Sequence, residues 1–228
     1  MTKNILFLLL VTFALGANAQ SFNVGISGGL NESAIHATQS SGTDFSTLTG
    51  FNAGAFVDFN RQHLTIESGL YYTTKGYNIT SDAGSSSPDI LDIPVYATDK
   101  VVLSYLEVPL NLLYNFNLPV GKLFIGGGPY LDYAVSGRST GANVQTTASA
   151  TPYTNFSSGT PAFGSGDNEF KRAYSGIDAQ TGIRLKNGLS LNFKFEYALE
   201  NIINLPQGAN NETFKNYGYS VSVGYAFL

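Results

Sequence analysis

From Tyr217 to Phe227 every odd position carries a large apolar or aromatic side chain: Tyr217, Tyr219, Val221, Val223, Tyr225 and Phe227. The even positions hold Gly218, Ser220, Ser222, Gly224 and Ala226. Side chains on a strand point alternately to its two faces, so one face is greasy and the other small and polar. A soluble sheet with one buried face satisfies the same pattern. At the end of a chain that begins with a secretory leader, it predicts the closing strand of an outer-membrane β-barrel.

The leader is read from the first residues. Lys3 supplies a positive start, Ile5 to Leu15 an apolar run too short to span a bilayer, and Ala17-Asn18-Ala19 a small-residue cleavage site. Residues 1–19 are therefore expected to be a cleaved signal peptide and residues 20–228 a single barrel domain. With no cysteine in the chain, disulfides and thiolate metal sites are excluded. Only 12% of residues are charged, about half the soluble average, yet no later apolar run is long enough for a membrane helix. A barrel reconciles the two, because its apolar residues alternate with polar ones facing the lumen. The net charge of −4 argues against a nucleic-acid partner.

Read with a period of two, the chain gives eight strands: Phe22–Leu30, Phe51–Phe59, Leu64–Gly76, Val102–Phe116, Lys122–Val135, Tyr174–Leu185, Leu189–Leu199 and Tyr217–Phe227. Three connections are tight: Asn60–His63, Asn117–Gly121 and Lys186–Gly188, the last with an Asn-Gly hairpin signal. The other four are long and polar: Asn31–Gly50, Tyr77–Lys100, Ser136–Ala173 and Glu200–Asn216. Long and short alternate strictly. That order predicts an eight-stranded antiparallel up-and-down transmembrane barrel, with short periplasmic turns, long outer loops and both termini periplasmic.

The alternation also assigns faces. Leu189, Leu191, Phe193, Phe195, Tyr197 and Leu199 point one way, and Ser190, Asn192, Lys194, Glu196 and Ala198 the other. A charge facing lipid costs about 2–4 kcal/mol at the midplane, so the charged set must face inward. That set is Asp58, Glu67, Lys75, Glu107, Asp132, Asp178, Arg184, Lys194 and Glu196. Aromatics fall near both ends of the strands: Phe22, Phe59, Phe116, Tyr225 and Phe227 at one, Phe51, Tyr72, Tyr133, Tyr197 and Tyr217 at the other. They suggest two girdles.

Pro109, in Tyr105-Leu-Glu-Val-Pro-Leu110, cannot donate to a ladder, so a bulge is expected there. This motif, followed by Gly126-Gly-Gly-Pro-Tyr130, resembles the PorT-like outer-membrane β-barrel family of Gram-negative bacteria. The resemblance covers essentially the whole chain after the leader. It implies a small outer-membrane barrel and no particular activity.

An eight-stranded barrel is just wide enough for side chains to fill, and buried charges must be paired. Glu67, Glu107, Asp132, Asp178, Arg184, Lys194 and Glu196 are accordingly read as a structural network, with Arg184 and Lys194 facing acids such as Asp132, Asp178 and Glu196. The rival reading is a narrow channel or small-solute transporter. A third is a lipid-acting enzyme, resting on His36 in the first outer loop beside Ser33, Ser40, Ser41 and Asp44. His63 falls in a tight turn. No nucleophile–base pair is identifiable by spacing, so no catalytic residue is assigned. Gly164-Ser-Gly-Asp-Asn-Glu169 has calcium-friendly residues at the wrong spacing, and Gly126–Pro129 lacks the Lys-Ser/Thr of a phosphate loop. No cofactor or metal is expected. The expected partners are outer-membrane lipid, the barrel-assembly machinery during insertion, and a protein or glycan at the extracellular loops. The third long loop, with Tyr153 and Phe156 among Ser, Thr and Asn, reads as mobile or hairpin-extended surface, able to bind or to pack on the barrel mouth.

Overall fold

A computed structural model of the protein describes residues 21–38, 43–82, 96–145, 153–206 and 213–227. The expected leader, Ser40 and Ser41 lie outside these residues. Nine strands form one antiparallel sheet: β1 (Ser21–Ala37), β2 (Thr43–Arg61), β3 (Leu64–Asp82), β4 (Tyr96–Leu118), β5 (Gly121–Gln145), β6 (Tyr153–Gly159), β7 (Ala173–Leu185), β8 (Leu189–Ala198) and β9 (Phe214–Phe227). Eight of them close a ring, β1-β2-β3-β4-β5-β7-β8-β9, with β9 pairing back onto β1 from Val24↔Phe227 to Ala37↔Phe214. All eight strands expected from the alternation lie in this ring. The seventh, β8, stops one residue short of Leu199.

The ring has a measurable stagger. Stepping between paired neighbours from Phe22 leads through Phe59, Ile66, Leu112, Gly127, Ala179, Phe195 and Tyr219, and returns to β1 at Glu32. The shear is thus 10 residues (32 − 22). With a rise of about 3.3 Å per residue and strands about 4.8 Å apart, the strands tilt by about 40° and enclose a backbone cylinder of roughly 8 Å radius. Inward side chains leave little of that space empty.

The faces follow from the pleat. Outward positions such as Phe22, Ile66, Leu112, Ile125, Leu131, Phe193 and Val221 are exposed apolar groups. Inward positions alternate with these and are small, polar, charged or aromatic. The outer aromatics meet at both ends. Phe22 and Phe59 lie 5.3 Å apart between ring centroids, and Tyr114 and Phe116 4.9 Å apart, at the tight-turn end; Phe51 and Tyr72 lie 5.8 Å apart at the other. The tight turns sit where expected. Gly188 takes φ +90°, a conformation glycine adopts without strain, and its amide donates to the Leu185 carbonyl at 3.0 Å.

Three features refine or correct the sequence reading. Pro109 causes no bulge: β3 and β4 keep one register on both sides of it, and only Gly69 and Leu70 go unpaired. The Ser68 hydroxyl donates to the Pro109 carbonyl at 2.8 Å across that gap. The register shifts lie elsewhere, between Thr47 and Asn52 on β2 and at Ser104/Tyr105 against β5. Secondly, β6 falls inside the expected loop Ser136–Ala173 and pairs only with β5, the hairpin-extended one of the two forms expected for that loop. Thirdly, β2 to β5 run well past the ring's apolar band. β4 and β5 hold 23 and 25 residues, where a tilted span needs about 9–11. The outer ends of β2, β3, β4 and β5, with β6, therefore stand as a wall at the long-connection end.

Candidate functional site

The lumen is filled in layers. Nearest the tight turns, the Thr65 hydroxyl donates to Asn60 at 2.7 Å and the Asn115 amide donates to Thr65 at 2.8 Å. Above them Arg184 of β7 reaches across the barrel to Asp58 of β2 and lies 3.6 Å from Glu67 of β3. Gln180 donates to Glu67 at 2.8 Å, and Asn192 to Gln180 at 2.6 Å.

The next layer is centred on Lys75. Its ammonium lies 2.8 Å from Glu107, 2.9 Å from Asp132 and 2.7 Å from Glu196, and 4.7 Å from the centroid of the Tyr130 ring. Lys194 donates to Glu107 at 2.6 Å and pairs with Glu196. The pleat places Asp58, Glu67, Lys75, Glu107, Asp132, Asp178, Arg184, Lys194 and Glu196 all on the inner face. Lys194 meets Glu196 as expected, but the other partners differ. Arg184 pairs with Asp58 and Glu67 rather than Asp132 or Asp178, and Asp132 pairs with Lys75. The stagger brings residues far apart in sequence to one level, which local alternation does not encode. Asp178 is buried, with Asn111 and Lys194 near it, but neither closes a hydrogen bond on its carboxylate.

A third layer was missed from the sequence. Tyr105, Tyr130 and Tyr174 meet edge to face, with centroids 5.4 Å apart for Tyr105–Tyr174 and 6.4 Å for Tyr130–Tyr174. Leu103, Val101 and Tyr77 join them. Ile202, only 1% exposed, drops onto this floor with Phe163 and Phe170 packed around it. Backbone bonds hold the cover: Lys171 N to Ile202 O at 2.8 Å, and Asn204 N to Glu169 O at 2.9 Å. The Asn204 side-chain amide also donates to the Gly164 carbonyl at 2.9 Å. These segments have no period of two, so only their scattered apolar residues signalled burial. Glu169 turns back on its own loop and accepts from the Gly166 amide at 2.8 Å.

Two voids in the lumen measure about 10 and 20 Å³. Each is room for about one water. Of the residues on which the enzyme reading rests, Ser33 and His36 lie on opposite faces of β1, and Ser40 and Ser41 fall outside the described residues. The Ser33 hydroxyl faces inward and donates to the Gly76 carbonyl at 3.1 Å, while His36 is exposed on the other face of β1. His63 stacks on Tyr114 in its turn, with ring centroids 5.8 Å apart.

A closed ring with a polar, charged interior and an apolar outer face flanked by aromatics is an integral outer-membrane β-barrel. The chain belongs to the outer membrane protein beta-barrel domain family, whose profile matches residues 18–204. Among solved structures it is similar to Ail, the attachment invasion locus protein of Yersinia pestis, solved in complex with the heparin analogue sucrose octasulfate. That match has 10% identity and a TM-score of 0.37, covering 91% of this chain and 99% of that one. It is also similar to Neisserial surface protein A, with 12% identity and a TM-score of 0.38, covering 92% and 100%. The outer membrane protease OmpT from Escherichia coli matches at 10% identity and a TM-score of 0.32, covering 91% and 96%. No curated protein matches the chain.

Proposed function

We propose that the protein is a closed, non-enzymatic barrel that anchors a β-sheet wall and its loops at the cell surface, where they meet a partner. The observation that carries this reading is the lumen, filled by ion pairs and then by an aromatic layer, around voids of about 10 and 20 Å³. A filled lumen favours an anchor over a narrow channel or transporter. The charge network is structural in this reading. The long connections face outward and both termini face the periplasm. The Tyr105–Leu110 and Gly126–Tyr130 motifs support a place in the PorT-like branch, without a role in secretion being carried over.

Planar-bilayer recording of the reconstituted protein tests closure. No stable current steps are expected, and reproducible steps would overturn the reading. Orientation is tested with the natural absence of cysteine. A membrane-impermeant maleimide on intact cells should label Ser158→Cys and spare Asn187→Cys; the reverse pattern inverts the topology.

A further inference from the structure

The wall carries a groove of about 390 Å³, lined among others by Asn78, Thr80, Thr98, Lys100, Thr140 and Phe156. That volume is within the roughly 300–1,000 Å³ of small-molecule sites. Register places two rows on the outer face. Thr80, Thr98, Ala142 and Phe156 form one; Asn78, Lys100, Thr140 and Ser158 form the other. Phe156 is 83% exposed, a large ring with nothing packed over it among the described residues. The intervening row, Ile79, Asp99 and Gly141, turns its side chains to the opposite face, where the Asp99 carboxylate lies against Gly141 in the place a Cβ would take. Ile79, Asp99 and Gly141 nonetheless belong to the groove's lining.

The chemistry points to one ligand class. The hydroxyls of Thr80, Thr98 and Thr140 and the Asn78 carbonyl oxygen offer donors and acceptors at close spacing. One N–H of the Asn78 amide donates to the Thr47 carbonyl at 2.7 Å, which orients the side chain. Lys100 brings one positive charge, and Asp44, paired in register with Thr80, brings one negative charge to the same face. The balance selects neither an anion nor a cation. An exposed ring beside hydroxyls suits a ligand with one C–H face and a hydroxylated rim. Height agrees. Leu106 pairs with Tyr133, one of the aromatics expected at the membrane edge, and Thr98 is eight residues beyond it (106 − 98). At about 3.3 Å per residue and about 40° of tilt, the groove stands about 20 Å above that edge, clear of the bilayer. We infer that the groove binds a neutral saccharide, one ring stacked on Phe156 and its hydroxyls bonded to Asn78 and the threonines. The inference rests on the surface-anchor reading and names its ligand class.

The chain has no tryptophan, so Phe156→Trp gives a single fluorescent reporter that keeps the stacking face. The full chain in phosphatidylcholine nanodiscs is titrated with maltopentaose, mannopentaose and the core oligosaccharide released from lipopolysaccharide. A second set of discs contains core-bearing lipopolysaccharide. A saturable shift with at least one neutral sugar is expected. A shift with maltopentaose or mannopentaose supports a neutral glycan, and a shift only with the core, free or in the lipopolysaccharide discs, overturns the neutral assignment because that core carries carboxylates and phosphates. By calorimetry, Phe156→Ala and Thr140→Val should each weaken binding about tenfold, the size of one aromatic contact or one lost hydrogen bond. Their gel mobility with and without heating should match the parent, showing that the barrel still folds. No response to any sugar, or unchanged affinity in both variants, overturns the inference. Planar-bilayer recording of the same protein separates the two readings: a silent bilayer without sugar binding in the discs sinks the groove and leaves the anchor.

Discussion

Replacing Lys75 with methionine keeps an unbranched side chain one atom shorter and removes the charge at the centre of the lumen. Three carboxylates lose a partner at 2.7–2.9 Å. They do not lose equally. Glu107 and Glu196 still have Lys194. Asp132, fully buried, pairs with no other cation among the described residues, and its second oxygen already has no hydrogen-bond partner there. Breaking a buried pair costs about 3–5 kcal/mol, because an uncompensated charge is left behind. Most of that cost should therefore sit on Asp132. Asp132→Asn in the same chain removes the stranded charge, so the double variant should be more stable than Lys75→Met alone. Urea unfolding in detergent micelles, followed by tyrosine fluorescence, gives the cycle. Strictly additive costs for the two substitutions would refute the reasoning, since contacting residues must couple.

Lys194→Ala leaves one oxygen each of Glu107 and Glu196 without its cation, and should lower stability by about 1–3 kcal/mol in the same assay. Phe193→Arg places a charge among lipids and should cost about 2–4 kcal/mol of folding free energy if it lies near the midplane, with Asn192→Arg on the inner face milder; equal costs would contradict the assigned faces. Asn204→Leu removes the tie between the two covering segments and should speed proteolysis within 160–172 while the heat-shifted gel mobility stays unchanged. The Ser175 hydroxyl donates to Glu200 at 2.7 Å and holds its carboxyl below the usual value. A depressed folded value stabilises above the ordinary carboxylate range, and the gain fades as pH falls through the folded one. Carbon-13 titration of Ser175→Ala should show Glu200 moving back up.

The ring was legible because lipid enforces alternation. Where one face must be apolar, as along Leu189–Tyr197, period two marks every residue. Above the membrane both faces of β4 and β5 meet water, so the pattern fades and the strands outran the expected loops. For the same reason β6 was legible only as one of two alternatives, a hairpin extension of the third long loop. The inner face of each strand could be read, but not the pairs across it. Asp58 and Arg184 are 126 residues apart, and only the stagger brings them level. The cover over Tyr105 was illegible, since Phe163, Phe170 and Ile202 sit in irregular backbone whose burial is decided by the barrel beneath.

The joint between β1 and β9 carries a demand on how the chain is made. Val24 pairs with Phe227, so nearly the whole polypeptide must be present before the first strand finds its second neighbour. Closing so long a loop is entropically slow, and contacts this distant in sequence form late. Until then both outermost strands offer bare edges, with hydrophobic faces and no lipid around them, the conditions in which strands stick to strangers. A chain built this way depends on being shielded in transit and on having its two ends brought together at the membrane.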